Sequence, residues 1–84
     1  MSYHIYILQS EKTGKYYVGS TNNVTERFEQ HNKGRVHSTK SGKPWRMIYS
    51  EKFDTLSEAR KRELQIKNWK SRSAIERLMH GPFV

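Results

Sequence analysis

The run Tyr3-His4-Ile5-Tyr6-Ile7-Leu8-Gln9, followed after Ser10-Glu11-Lys12-Thr13-Gly14 by Lys15-Tyr16-Tyr17-Val18-Gly19-Ser20, decides the fold. Both apolar runs are rich in β-branched and aromatic residues, and Gly14 sits where a tight turn needs it, so the segment predicts a β-hairpin. With an even number of residues in the loop, even positions of the first strand oppose odd positions of the second, and Tyr6 and Tyr17 share a face. In one such register Tyr6 stands opposite Gly19, whose missing side chain leaves space above the sheet.

Further along, Asn23-Val24-Thr25-Glu26 has capping-box spacing and opens a helix that stops at Lys33-Gly34, where glycine can take the left-handed cap. Residues 35–44 read as a basic loop, and Trp45 to Phe53 as a third strand. A second capping box, Thr55-Leu56-Ser57-Glu58, starts a helix running to about Trp69. A third, Ser73-Ala74-Ile75-Glu76, starts a short helix that Gly81-Pro82 ends. The order β-β-α-β-α-α with a hairpin start implies an α+β fold: a small three-stranded, mainly antiparallel sheet flanked by helices.

The 84 residues allow one domain, 1–84, with one core. Hydrophobic residues make up only 33%, offset by two Trp, five Tyr and three Phe with large buried area each. The absence of cysteine excludes disulfide frameworks, thiolate metal sites and thiol nucleophiles. The opening residues lack the basic start and apolar run of a signal peptide, and no stretch is apolar enough to span a membrane, so a soluble cytoplasmic protein is expected. A net charge of +8 calls for a polyanionic partner, since each cation set against a phosphate releases counterions. A membrane surface is the competing polyanion, but no segment joins a strongly apolar face to a basic one.

Three groups of side chains invite a chemical reading. Leu56, Ala59, Glu63 and Ile66 follow 3-4-3 spacing, which places a carboxylate in an otherwise apolar stripe. Such a group must be paired or metal-bound, and Arg60 and Lys67 stand one turn away to form an ordinary salt bridge. Arg27 and His31, at i and i+4, suit a phosphate and a proton, or else form a solvated Arg beside a half-buried His. Tyr6 and Tyr17 either flank a reacting phosphate or are plain cross-strand packing.

Taken together these residues resemble the GIY-YIG nuclease family. Its two name-giving strands read here as His4-Ile5-Tyr6 and Tyr17-Val18-Gly19, with ten residues between the tyrosines. The family's arginine, ten residues after the second tyrosine, matches Arg27, and its His or Tyr four residues later matches His31. Its metal-binding glutamate on a later helix matches Glu63. Two positions depart from the pattern: His4 replaces the usual glycine, and Ser20 stands where some members carry a lysine. Asn68 is the candidate for an asparagine that some members use. The likeness is greatest to short stand-alone bacterial members, related to the N-terminal domain of the excision-repair nuclease subunit.

The resemblance implies a metal-dependent endonuclease acting by a one-metal mechanism on nucleic acid, with DNA the expected substrate. Glu63 would bind Mg²⁺ or Mn²⁺. Arg27 would neutralise charge on the phosphoryl oxygens, and Tyr17, assisted by Tyr6 or His31, would orient or deprotonate the attacking water. Lys33, Arg35, Lys40 and Lys43, on or next to the basic loop, are expected to contact phosphates. Composition separately disfavours other nuclease designs: with Asp54 the only aspartate a two-metal carboxylate cluster lacks ligands, and His31-Asn32 is only a fragment of a His-Asn-His site. The competing readings are a non-catalytic nucleic-acid-binding module and an interaction subunit whose activity needs a protein partner.

Overall fold

In the computed structural model, which describes residues 2–69 and 72–80, the hairpin forms as β1 (Tyr3–Ser10) and β2 (Tyr16–Thr21). The strands pair antiparallel with even positions against odd, and Tyr6 lies opposite Gly19. A third strand, β3 (Trp45–Phe53), runs antiparallel along the other side of β1, giving the sheet order β2-β1-β3.

The central position of β1 explains its sequence. Ile5, Tyr6, Ile7 and Leu8 are all buried in succession, because both faces of the strand are covered. Ile5 and Ile7 pack with Val18, Ala59, Ile66 and Ile75 under α2 (Leu56–Trp69) and α3 (Arg72–His80). Tyr6 and Leu8 pack with Trp45 on the opposite face, where Phe28 arrives from α1 (Val24–Asn32). Between Ile7 and Leu8 the β3 register slips, leaving Ile48 as the extra residue of a bulge. Ile48 and Tyr49 thereby both pack on the α2 side while Met47 joins Leu8.

Local signals act as the sequence implies. The Asn23 side chain accepts the Glu26 N–H, and Gly34 takes φ +75° just past the end of α1. At the start of α2 the Thr55 hydroxyl accepts the Glu58 N–H and donates to the Glu58 carboxylate, so the side-chain cap forms without the reciprocal backbone bond of a full capping box. One residue before Glu63, Arg62 forks onto Glu51 of β3 at 2.9 and 3.1 Å, which fixes the rotation of α2 against the sheet.

Three local expectations need correction. The basic loop contains a 3₁₀ segment, His37–Gly42, because its carbonyls find partners in the core: Ser10 Oγ donates to the Gly42 oxygen at 2.5 Å, and Trp45 Nε1 to that of Thr39 at 2.7 Å. α3 already includes Arg72, so Ser73 lies inside its first turn rather than capping it; the Gly81-Pro82 stop lies outside the described residues. Leu56 remains 36% exposed. It borders an outward depression with Arg60 and Leu64, so the buried stripe of α2 is Ala59 and Ile66 with Glu63 between them.

Candidate active site

On the α1 side of the sheet, His31 points straight down onto Tyr6. Its Nε2 lies 2.9 Å from the Tyr6 hydroxyl and its Nδ1 2.7 Å from the Thr39 hydroxyl. All three residues are closed to solvent, with His31 at 0% exposure and Tyr6 and Thr39 at 1% each. The ring of Tyr17 packs against His31 at 4.9 Å between centroids, and against Tyr6 and Trp45 at 6.4 Å. Gly19 must be bare here: a Cβ at that position would sit 2.5 Å from the Tyr6 hydroxyl oxygen.

Arg27, one turn before His31 on α1, is half-buried. Its guanidinium donates to Gln30 Oε1 at 3.1 Å and interacts electrostatically with the Tyr6 and Tyr17 phenols, with Tyr6 the stronger partner. Burial raises the Tyr6 pKa; the Arg27 hydrogen bond and charge work against this, the charges of Tyr17 and Glu63 add to it, and the net direction is up. The bond to Tyr6 in turn raises the Arg27 pKa. His31 moves the other way, from 6.5 to about 4, first through burial and then through the positive charge of Arg27. It is therefore a neutral imidazole at pH 7.

A depressed histidine pKa ties stability to pH with a definite sign. Between about 6.5 and 4 the unfolded chain takes up a proton at His31 that the folded chain refuses, so stability is lost as pH falls through that window. The pKa gap corresponds to at most about 3 kcal/mol. Urea denaturation from about pH 7.5 to about pH 4 should show a loss of this order beyond that of a His31→Tyr variant. Parallel pH profiles for the two proteins would rule the assignment out.

Glu63 approaches from α2, on the other face of the sheet, and reaches β2 beside Gly19. Its Oε1 accepts from Ser20 Oγ and its Oε2 pairs with Lys67 Nζ, both at 2.6 Å. The ion-pair partner anticipated for this carboxylate is thus Lys67, while Arg60 points outward. The structure gathers Tyr6, Tyr17, Arg27 and His31 into one cluster, while Glu63, bonded to Ser20 on the other face, acts on Tyr6 only through its charge.

Among the described residues no group of three or more His, Asp or Glu side chains is placed to hold a metal ion. Glu63 alone still fits Mg²⁺ or Mn²⁺, because such ions take one or two carboxylates and complete their shells with water and substrate phosphate. Its side chain is 19% exposed, and Lys67, at 47%, is free enough to move aside.

Lys33, Arg35, Lys40 and Lys43 are all exposed. Lys40 and Lys43 close over Gly34, where an added Cβ would meet Lys40 Cγ at 3.5 Å and Lys43 Nζ at 3.1 Å. Shallow cavities of about 200 and 220 Å³ flank the cluster, one bordered by Arg27 and one by Tyr17. Both fall below the usual size of an enclosed small-molecule pocket and suit a polymer strand lying across the surface.

Thr39 and Asn32 are contributors that the sequence did not reveal. Asn32 receives the Trp45 N–H at 2.5 Å and donates to the Trp45 carbonyl at 3.0 Å, standing in for a strand at the start of β3. Thr39 lies in a loop without periodicity, and no pattern links it to His31. Its position depends on Trp45 folding back over Gly42, where a Cβ would collide with the indole at 2.5 Å. His4, in the usual glycine position, has a buried Nδ1 with no hydrogen-bond partner among the described residues.

Comparison with known proteins agrees with the geometry. The model of the GIY-YIG catalytic domain matches residues 2–76. A UPF0213 protein of Staphylococcus saprophyticus is 35% identical over 80 residues, covering 94% of this chain and 96% of its own. One from Staphylococcus aureus is 38% identical over 69 residues, covering 81% and 83%. The solution NMR structure of a UPF0213 protein from Bacillus halodurans superposes with a TM-score of 0.60 at 30% identity, covering 99% of this chain and 90% of that one.

Proposed function

The chain belongs to the GIY-YIG catalytic domain family, a family of nucleases, and from that premise we propose that it is a single-domain, metal-dependent endonuclease hydrolysing phosphodiester bonds in DNA. The observation that carries the reading is the buried Tyr6 phenol over the bare backbone of Gly19, packed with His31 and Tyr17 and interacting with the Arg27 cation, with Glu63 bonded to the next residue, Ser20. Tyr17 adds a less buried phenol, and the chain carries a net charge of +8 that suits a polyanion.

Each group has a task in this reaction. Arg27 donates to the phosphoryl oxygens as charge builds on them. Tyr17, less buried than Tyr6, orients the attacking water, with His31 and Tyr6 packed behind it. Tyr6 is closed to solvent and serves by holding Arg27. A divalent ion bound at Glu63 supplies polarisation of the phosphate and stabilisation of the leaving oxygen. No helix among the described residues is long and apolar enough to cross a membrane. The proposed setting is cytoplasmic DNA, met alone or with a protein partner that supplies specificity.

The test is incubation of the chain with labelled duplex, flap, branched and single-stranded DNA, with Mg²⁺, with Mn²⁺ and with chelator. Cut product that depends on the metal is expected. Binding without cleavage under every metal condition would favour a non-catalytic module, in which the Glu63–Lys67 pair is only structural.

The exposed basic segment yields a separate expectation. Replacing Lys40 and Lys43 by alanine should weaken binding to all sequences alike and flatten the log-affinity against log-salt slope by about two. Filter binding over a salt series measures it, and an unchanged slope removes this segment from the interface.

A further inference from the structure

The hydrogen-bond chain beneath Arg27 has a direction, and its inner end sets it. At the outer end Arg27, which can only donate, interacts favourably with the Tyr6 oxygen. At the other end the Val36 carbonyl can only accept, and the Thr39 hydroxyl donates to it at 3.3 Å. The Thr39 oxygen, its hydrogen so used, accepts the Nδ1–H of His31 at 2.7 Å. His31, neutral, then carries a bare Nε2, which accepts the Tyr6 O–H at 2.9 Å. The opposite tautomer would turn a His31 N–H toward the phenol oxygen that interacts with the Arg27 cation. It would also leave the Val36 carbonyl facing a hydroxyl lone pair.

We propose that Thr39 is a positioning residue for the reaction: by accepting His31 Nδ1–H it fixes the imidazole tautomer, turns the Tyr6 hydrogen inward, and presents the Tyr6 lone pairs to Arg27. The guanidinium is thereby held in one orientation toward the phosphate. Thr39 never meets substrate, and its own place is set by Trp45 Nε1, which donates to its carbonyl at 2.7 Å. The catalytic half of this inference rests on the nuclease reading; the tautomer half does not.

The experiment is long-range ¹H–¹⁵N NMR of the His31 ring, whose two nitrogens report the tautomer directly, on the wild-type chain, Thr39→Ser and Thr39→Val. Wild type and Thr39→Ser should show the Nδ1–H form, and Thr39→Val should lose that preference. Cleavage by Thr39→Val should fall about ten- to hundredfold in kcat with little change in KM, as when a partner that orients a histidine is removed, and Thr39→Ser should restore it. An Nε2–H imidazole in the wild type overturns the proposal, whether or not either variant folds. So does a Thr39→Val protein that keeps the Nδ1–H form. If no protein in the set cuts DNA, the nuclease reading fails while the spectra still decide the tautomer.

Discussion

Glu63→Gln should reduce metal-dependent cleavage by on the order of 10³ or more while leaving the melting temperature close to that of the wild type. The size follows from losing the carboxylate proposed to hold the ion, whose charge stabilisation would be worth several kcal/mol in the transition state. The small stability effect follows from the local contacts. Glutamine keeps an oxygen to accept from Ser20, so that 2.6 Å bond survives the change. What is lost is attraction to Lys67, whose side chain is 47% exposed. A pair open to water to this extent contributes at most about 1 kcal/mol, which moves the melting temperature of a domain of this size by only a few degrees. DNA affinity without metal should hold or rise slightly, because a negative charge near the phosphate path has been removed. Melting curves, metal-free binding and cleavage on the one variant separate the roles. A variant that melts far earlier yet cuts at the wild-type rate would make Glu63 a structural residue only.

The same residue illustrates what a sequence can disclose. The 3-4-3 stripe placed Glu63 on the inner side of α2, and the structure keeps it there, half-buried between Ala59 and Ile66. The partner across the sheet, Ser20, could not be read from periodicity, because it depends on how α2 turns against β2. That rotation is set by Arg62 on Glu51, a contact between side chains of two elements that the periodicity of neither one specifies. The hairpin was legible for the opposite reason: strand alternation and a glycine turn are local rules, and they limit the pairing to a set of registers that includes the observed one, with Tyr6 across from Gly19. Sequence spacing also carried Arg27 and His31 to one face of α1. The basic loop was legible as charge but not as structure. Its 3₁₀ turn, and with it Thr39, is held by Ser10 and Trp45, residues that lie outside the segment.

Arg27→Ala should lower turnover by on the order of 10²–10³, the usual cost of removing a donor from developing negative charge. It should also leave a second mark that requires no substrate. Arg27 is one of the two causes that depress His31, after burial, so its loss should move the imidazole pKa upward from about 4, though not to the free value, because burial persists. The same change removes the hydrogen bond that draws the Tyr6 phenol down, so Tyr6 should titrate still higher. Arg27→Lys divides charge from geometry: it keeps the cation but not the planar fork that can reach Tyr6 and a phosphate together. His31 should therefore stay depressed in Arg27→Lys while turnover remains well below that of the wild type. NMR titration of His31 beside single-turnover cleavage checks both statements. If turnover fell in Arg27→Ala while the His31 pKa stayed in place, the Arg27 charge would not act on the buried imidazole, and Arg27 would meet the phosphate from some other direction.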